Sequence, residues 1–139
     1  MNTIKEFCSQ SNVPEALVRA VVRQVGGWDS FREMAEDVAN HGADSGFSGF
    51  CYHSETVKFA KANFESIYEL ASGMAQDCGY DSVITMVAGF QCLKDWDRAE
   101  VERALFLKNK GEAETPVYNA LAWFALEEVS RNYADTVAA

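Results

Sequence analysis

Much that would announce a function is missing from this chain. Its 139 residues include only two prolines and two histidines, and four cysteines. The cysteines, Cys8, Cys51, Cys78 and Cys92, form no CxxC pair. They read as four reduced thiols, mostly small core residues. No apolar run approaches the roughly 18 residues needed to cross a bilayer. The opening MNTIKEFCSQ has no apolar stretch of the kind a secretory signal needs, so the expectation is a cytoplasmic protein. No low-complexity tract is present, which argues against disorder.

Positive charge is scarce too. Twelve Lys and Arg face 21 Asp and Glu, a net charge of −9. Direct nucleic-acid binding needs cations at the phosphates, and anionic membranes repel an acidic surface. Neither is expected as a partner. The negative excess is uneven. Residues 26–55 hold one basic residue, Arg32, against Asp29, Glu33, Glu36, Asp37, Asp44 and Glu55.

What remains is a good core. The hydrophobic fraction is 48% and the aromatic fraction 12%, ordinary for a globular domain. The length fits one domain. The apolar residues recur at helical spacing. Thr3 introduces a weak turn at Ile4–Cys8. Asn12 is the expected cap of a helix with Pro14 in its first turn and a stripe of Val13, Leu17, Val21 and Val25. Gly26-Gly27 ends it. Asp29 is the expected cap of the next helix, with Phe31, Met34, Ala35 and Val38 inward and a stop at Asn40–Gly42.

Ser54 opens one long predicted helix to about Cys78, halted by Gly79. Asp81 or Ser82 starts another, with Val83, Met86, Val87 and Phe90 inward. Arg98–Lys108 makes a short one. Thr115 caps the last, with Pro116 at its first position. Between Val117 and Leu126 that helix is apolar nearly all round, the mark of a buried central helix. Six to seven helices with short links predict a compact all-α bundle, one helical domain over residues 1–139.

One segment breaks the pattern. His41–Thr56 reads HGADSGFSGFCYHSET. Glycines bend its backbone, and Phe47, Phe50, Tyr52 and His53 crowd its second half. Its alternation is compatible with a short β segment at 47–53. A lone strand has no evident partner, so the segment reads as a long loop rich in glycine and rings.

Its chemistry can be weighed group by group. His41, Asp44, Cys51 and His53 offer metal-ligand types within thirteen residues, but their spacing matches no structural zinc pattern. The plain reading is a helix-terminal histidine and a surface histidine. Cys51 beside His53 lacks a visible third group for a nucleophilic triad. GFSGF is not a phosphate-binding GxGxxG. The two helices around Gly26-Gly27 have a helix-turn-helix outline, but the second carries one arginine against four acids, the wrong charge for reading DNA. Glu127 and Glu128 are adjacent on a helix and diverge. Glu33 and Asp37 share a face at i, i+4, a mildly destabilising pairing. A solvated face explains it plainly; an acidic docking surface explains it functionally. The rings Phe50 and Tyr52 either plug their own loop or anchor a partner.

Two segments, DVANHGADSGFSGFCYHSETVKFAKAN and YNALAWFALEEVSRNY, resemble an uncharacterised family of small acidic proteins encoded by bacteriophages, plasmids and their hosts. Asn40, Gly42, Gly46, Gly49, Tyr52, Thr56 and Phe59 fall on the first motif. Ala122, Phe124, Ala125, Glu127, Glu128 and Val129 fall on the second. The resemblance brings no catalytic residues. Its setting implies mobile-element biology, where small acidic proteins often inhibit host defence.

The resulting expectation is a non-enzymatic protein, without a cofactor or metal, that docks on a basic surface of a host protein. Glu33, Glu36, Asp37 and Asp44 would supply the charge, and Phe50 and Tyr52 the anchors. The alternative is a metal- or ligand-binding protein or enzyme centred on His41, Asp44, Cys51 and His53.

Overall fold

The computed structural model describes residues 3–42, 54–89, 98–106 and 114–138. Among these there are eight α-helices and no strand. The helices are α1 (Ile4–Gln10), α2 (Glu15–Gln24), α3 (Trp28–His41), α4 (Ser54–Ala62), α5 (Phe64–Asp77), α6 (Val83–Ala88), α7 (Arg98–Phe106) and α8 (Glu114–Ala138). The all-α class stands; the count exceeds the expected six to seven. The short β segment expected at 47–53 lies outside the described residues.

The extra helix comes from a break within the long predicted one. Its stripe continues through Ala60, Ile67, Ala71 and Ala75, all buried. Asn63 interrupts the helix without ending the hydrogen-bond ladder. Both its backbone N–H and its side-chain Nδ2 donate to the Phe59 carbonyl, at 3.1 and 2.9 Å. A short amide side chain competing for backbone carbonyls is how asparagine disrupts helices. Hydrophobic period cannot register such a change.

Three expected caps are also corrected. Thr115, expected to cap the last helix, lies inside α8, which is already helical at Glu114. Pro14, not Asn12, holds the cap position of α2. The Ser11 hydroxyl instead accepts from the Val13 N–H at 3.0 Å, a local turn that precedes the helix. Gly27, not Asp29, caps α3, which places Asp29 inside the first turn, where a carboxylate favours the positive helix end. Thr3 does cap α1, accepting from the Glu6 N–H at 3.1 Å. Ser82 caps α6, accepting from the Thr85 N–H at 3.2 Å.

The glycine stops behave as expected. At the end of α2, Gly26 N–H donates to the Arg23 carbonyl and Gly27 N–H to the Val22 carbonyl. These are the paired bonds of a Schellman ending. Gly26 takes φ +104°, a region that L side chains rarely enter. Gly79 closes α5 in the same way at φ +81°, with the Tyr80 N–H reaching Ala75. Gly26→Ala is expected to cost about 1–2 kcal/mol for placing an L residue at positive φ, read from the urea midpoint at unchanged slope. A Cβ there would also meet the Ser30 hydroxyl at 3.4 Å.

The chain divides into two compact units, Met1–Cys51 with Trp123–Ala139, and Tyr52–Ala122. In the first, α1 packs on α2 and α2 on α3. Four rings form its centre. Tyr133 meets Phe7 edge-on at 5.4 Å, Trp28 at 5.6 Å and Phe31 at 5.6 Å. Phe7 and Phe31 are wholly buried, as are Leu17, Val18 and Val21.

In the second unit, α4 packs on α5, α5 on α6 and α6 on α7. Val87, Val101, Ala104, Val117 and Leu121 are buried there. Phe64, Tyr68, Phe106 and Tyr118 make a looser ring cluster at 5.6–6.4 Å, with Phe106 half exposed. Lys61 stands 5.4 Å over the Tyr118 ring and pairs with Glu114. From Val117 to Leu126 every residue of α8 is buried except the half-buried Trp123, as its apolar run predicts.

The thiols depart from expectation. Cys8 is half-buried and Cys78 exposed, so neither is a core residue. Burial still pushes the Cys8 thiol above its ordinary value, and Glu15 adds to the shift. Cys51 and Cys92 lie outside the described residues.

Candidate functional site

α3 brings the acidic residues together. A helix turns once in about 3.6 residues, so Phe31, Ala35 and Val38 share one face, and all three are buried. Glu33 and Glu36 fall on the opposite side and are exposed. Asp29, with its side chain 97% exposed, joins them. Asp37 sits at the edge of this face, partly exposed.

The face has few internal cations. Arg32 Nε donates to the Tyr133 hydroxyl at 3.3 Å, and Arg32 Nη1 lies 3.9 Å from Asp29. The bond to the Tyr133 hydroxyl, with the Asp29 and Glu36 charges adding to it, holds the guanidinium above its ordinary value. Arg32 thus ties α3 to the polar end of the buried ring cluster while still lying in the field of Asp29 and Glu36. Asp29 and Glu33, and Glu33 and Asp37, are like charges at i, i+4. Such pairs cost a helix about 0.2–0.5 kcal/mol each. The helix tolerates them in water.

At the other end of α3, His41 Nδ1 lies 3.0 Å from Asp37 Oδ1. An ionised carboxylate only accepts, so the ring nitrogen carries the proton. This is the helix-terminal histidine of the plain reading, near the carbonyl end of the dipole. Of the metal set considered above, His41 alone is among the described residues; Asp44, Cys51 and His53 are not. The described residues contain no group of three or more His, Cys, Asp or Glu that could hold a metal ion. None of the described helices is long and apolar enough to cross a membrane. Asp44, Phe50 and Tyr52, expected to complete the docking surface, also lie outside the described residues.

Beside the acidic face runs a feature that sequence reasoning missed. Two adjoining hollows lie between α3 and the end of α8, within the first unit. One, of about 180 Å³, is lined by Ala35, Glu36, Ala39, Asn40, Tyr133, Ala134 and Val137. Val137 is 53% exposed, one of few large apolar side chains so placed. The other, of about 380 Å³, includes Gly42, Ser130, Arg131 and Asp135 and shares Ala39 and Ala134 with the first. Ser130 is fully buried, and its hydroxyl has no hydrogen-bond partner among the described residues. Arg131 is engaged by Glu127 at 2.6 Å. The signal available in the sequence was small residues one turn apart, Ala35 with Ala39 and Ser130 with Ala134, but nothing in it pairs the two helices.

These observations define an all-helical protein with an acidic helix face beside a small groove. The chain belongs to the family described as Domain of unknown function (DUF7222), which matches residues 2–139. No curated protein and no solved structure matches it.

Proposed function

We propose that this chain is a non-enzymatic cytoplasmic protein, carried by a phage or plasmid, that modulates or inhibits a host system by docking on a basic surface of a host protein. The observation that carries this reading is the outer face of α3. Asp29, Glu33 and Glu36 stand together in solvent, opposite the buried face, with Arg32 turned to Tyr133. Such a face attracts a basic groove and speeds encounter with it. The net charge of −9 repels nucleic acid directly, so a surface that ordinarily holds nucleic acid is a suitable target. An anti-defence role fits the mobile-element setting of the resembling family.

The test is charge reversal of Glu33, Glu36, Asp37 and Asp44 to lysine, followed by capture from host lysate and kinetic measurement on the recovered partner. Association is expected to slow by about tenfold or more and to lose most of its salt dependence. Binding unchanged by all four reversals would end the docking idea.

A further inference from the structure

We infer that the groove between α3 and α8 is a recognition site for a basic peptide segment that inserts one bulky apolar side chain and follows it with lysine or arginine. This inference rests on the acidic-docking reading and gives it a location and a partner chemistry.

The smaller hollow sets the anchor. It is lined by Ala35, Ala39 and Ala134, and the exposed Val137 adds apolar surface. Cavities near 150 Å³ hold a benzene-sized group, so about 180 Å³ takes one phenylalanine or leucine side chain. The adjoining hollow sets the flank. It holds Asp135, which is exposed. Glu36, exposed, lines the smaller hollow. Arg131, the cation of the larger hollow, is already paired with Glu127. Glu36 and Asp135 therefore favour a cationic occupant, and the alanine lining favours an apolar side chain.

The experiment is an amide NMR titration of the full chain with three short synthetic peptides. One is lysine-rich with a single phenylalanine, one replaces that phenylalanine with alanine, and one replaces the lysines with glutamate. The first is expected to shift resonances of Ala39, Asn40, Ala134 and Val137. The other two should bind at least about tenfold more weakly. Ala39→Phe, at an exposed helix position, fills the hollow from within and should weaken the first peptide about tenfold. Val137→Lys should do the same by removing apolar surface and adding repulsion. Shifts centred elsewhere, equal binding of the glutamate peptide, or full binding by both variants would overturn the inference. The host partner separates this failure from that of the wider reading. If charge reversal abolishes its capture while Ala39→Phe does not, the acidic face stands and the groove falls. If capture survives charge reversal, the docking reading falls first.

Discussion

Phe7→Ala is expected to destabilise the protein by about 3–5 kcal/mol, the range for deleting a buried aromatic ring. Phe7 has no exposed surface and touches three rings, Trp28, Phe31 and Tyr133, at centroid distances of 5.4–6.1 Å. It is also the one buried residue of α1. A helix of seven residues has no stability of its own in water; Phe7 holds it in place. The substitution therefore removes ring contacts and the attachment of α1 together. Urea unfolding should show the loss as a lower midpoint. Hydrogen exchange should show the amides near the end of α1 losing protection before those of α2. A cost under about 1 kcal/mol would mean that the ring cluster closes over the gap or that α1 is held by something else.

Leu121→Ala should cost about 2–5 kcal/mol. Leu121 is fully buried in the stretch of α8 where almost every neighbour is buried too. Close-packed surroundings relax little around a deleted side chain. Leu126→Ala, five residues on and also fully buried, makes a useful companion. Leu121 belongs to the unit Tyr52–Ala122 and Leu126 to the unit that includes Trp123–Ala139. If the chain is one cooperative domain, each variant unfolds in a single transition, with coincident curves by circular dichroism and tryptophan fluorescence. Two separated transitions in either variant would show that the units melt independently.

Sequence legibility followed the range of the interactions. The buried run of α8 was legible because ten consecutive positions leave no polar face to expose. The stops at Gly26-Gly27, Gly42 and Gly79 were legible because positive φ has a specific residue preference. The acidic face of α3 was legible from spacing alone, since i, i+3 and i, i+4 place Glu33, Glu36 and Asp37 relative to Phe31 and Val38. The break at Asn63 was not, because the apolar stripe runs straight through it. Gly27 as a cap was missed because Asp29, a common capping type, stands two residues further on. The groove was wholly hidden. Its walls come from residues 35–42 and 130–137, and the Arg32–Tyr133 bond spans 101 positions. Local pattern has no access to such pairings.

The corner between α2 and α3 has one more implication. Gly27 donates its N–H to Val22, finishing one helix, and accepts from the Phe31 N–H at 2.9 Å, beginning the next. One residue serves two ladders, so the joint contains no slack. Adding or deleting a residue here would rotate α3 by about 100° about its axis and carry Phe31 out of the ring cluster as the acids turned inward. Members of the family that differ in length should therefore differ elsewhere, with this corner kept to its present number of residues. It is the point that aligns the inside and outside of α3 with the rest of its unit.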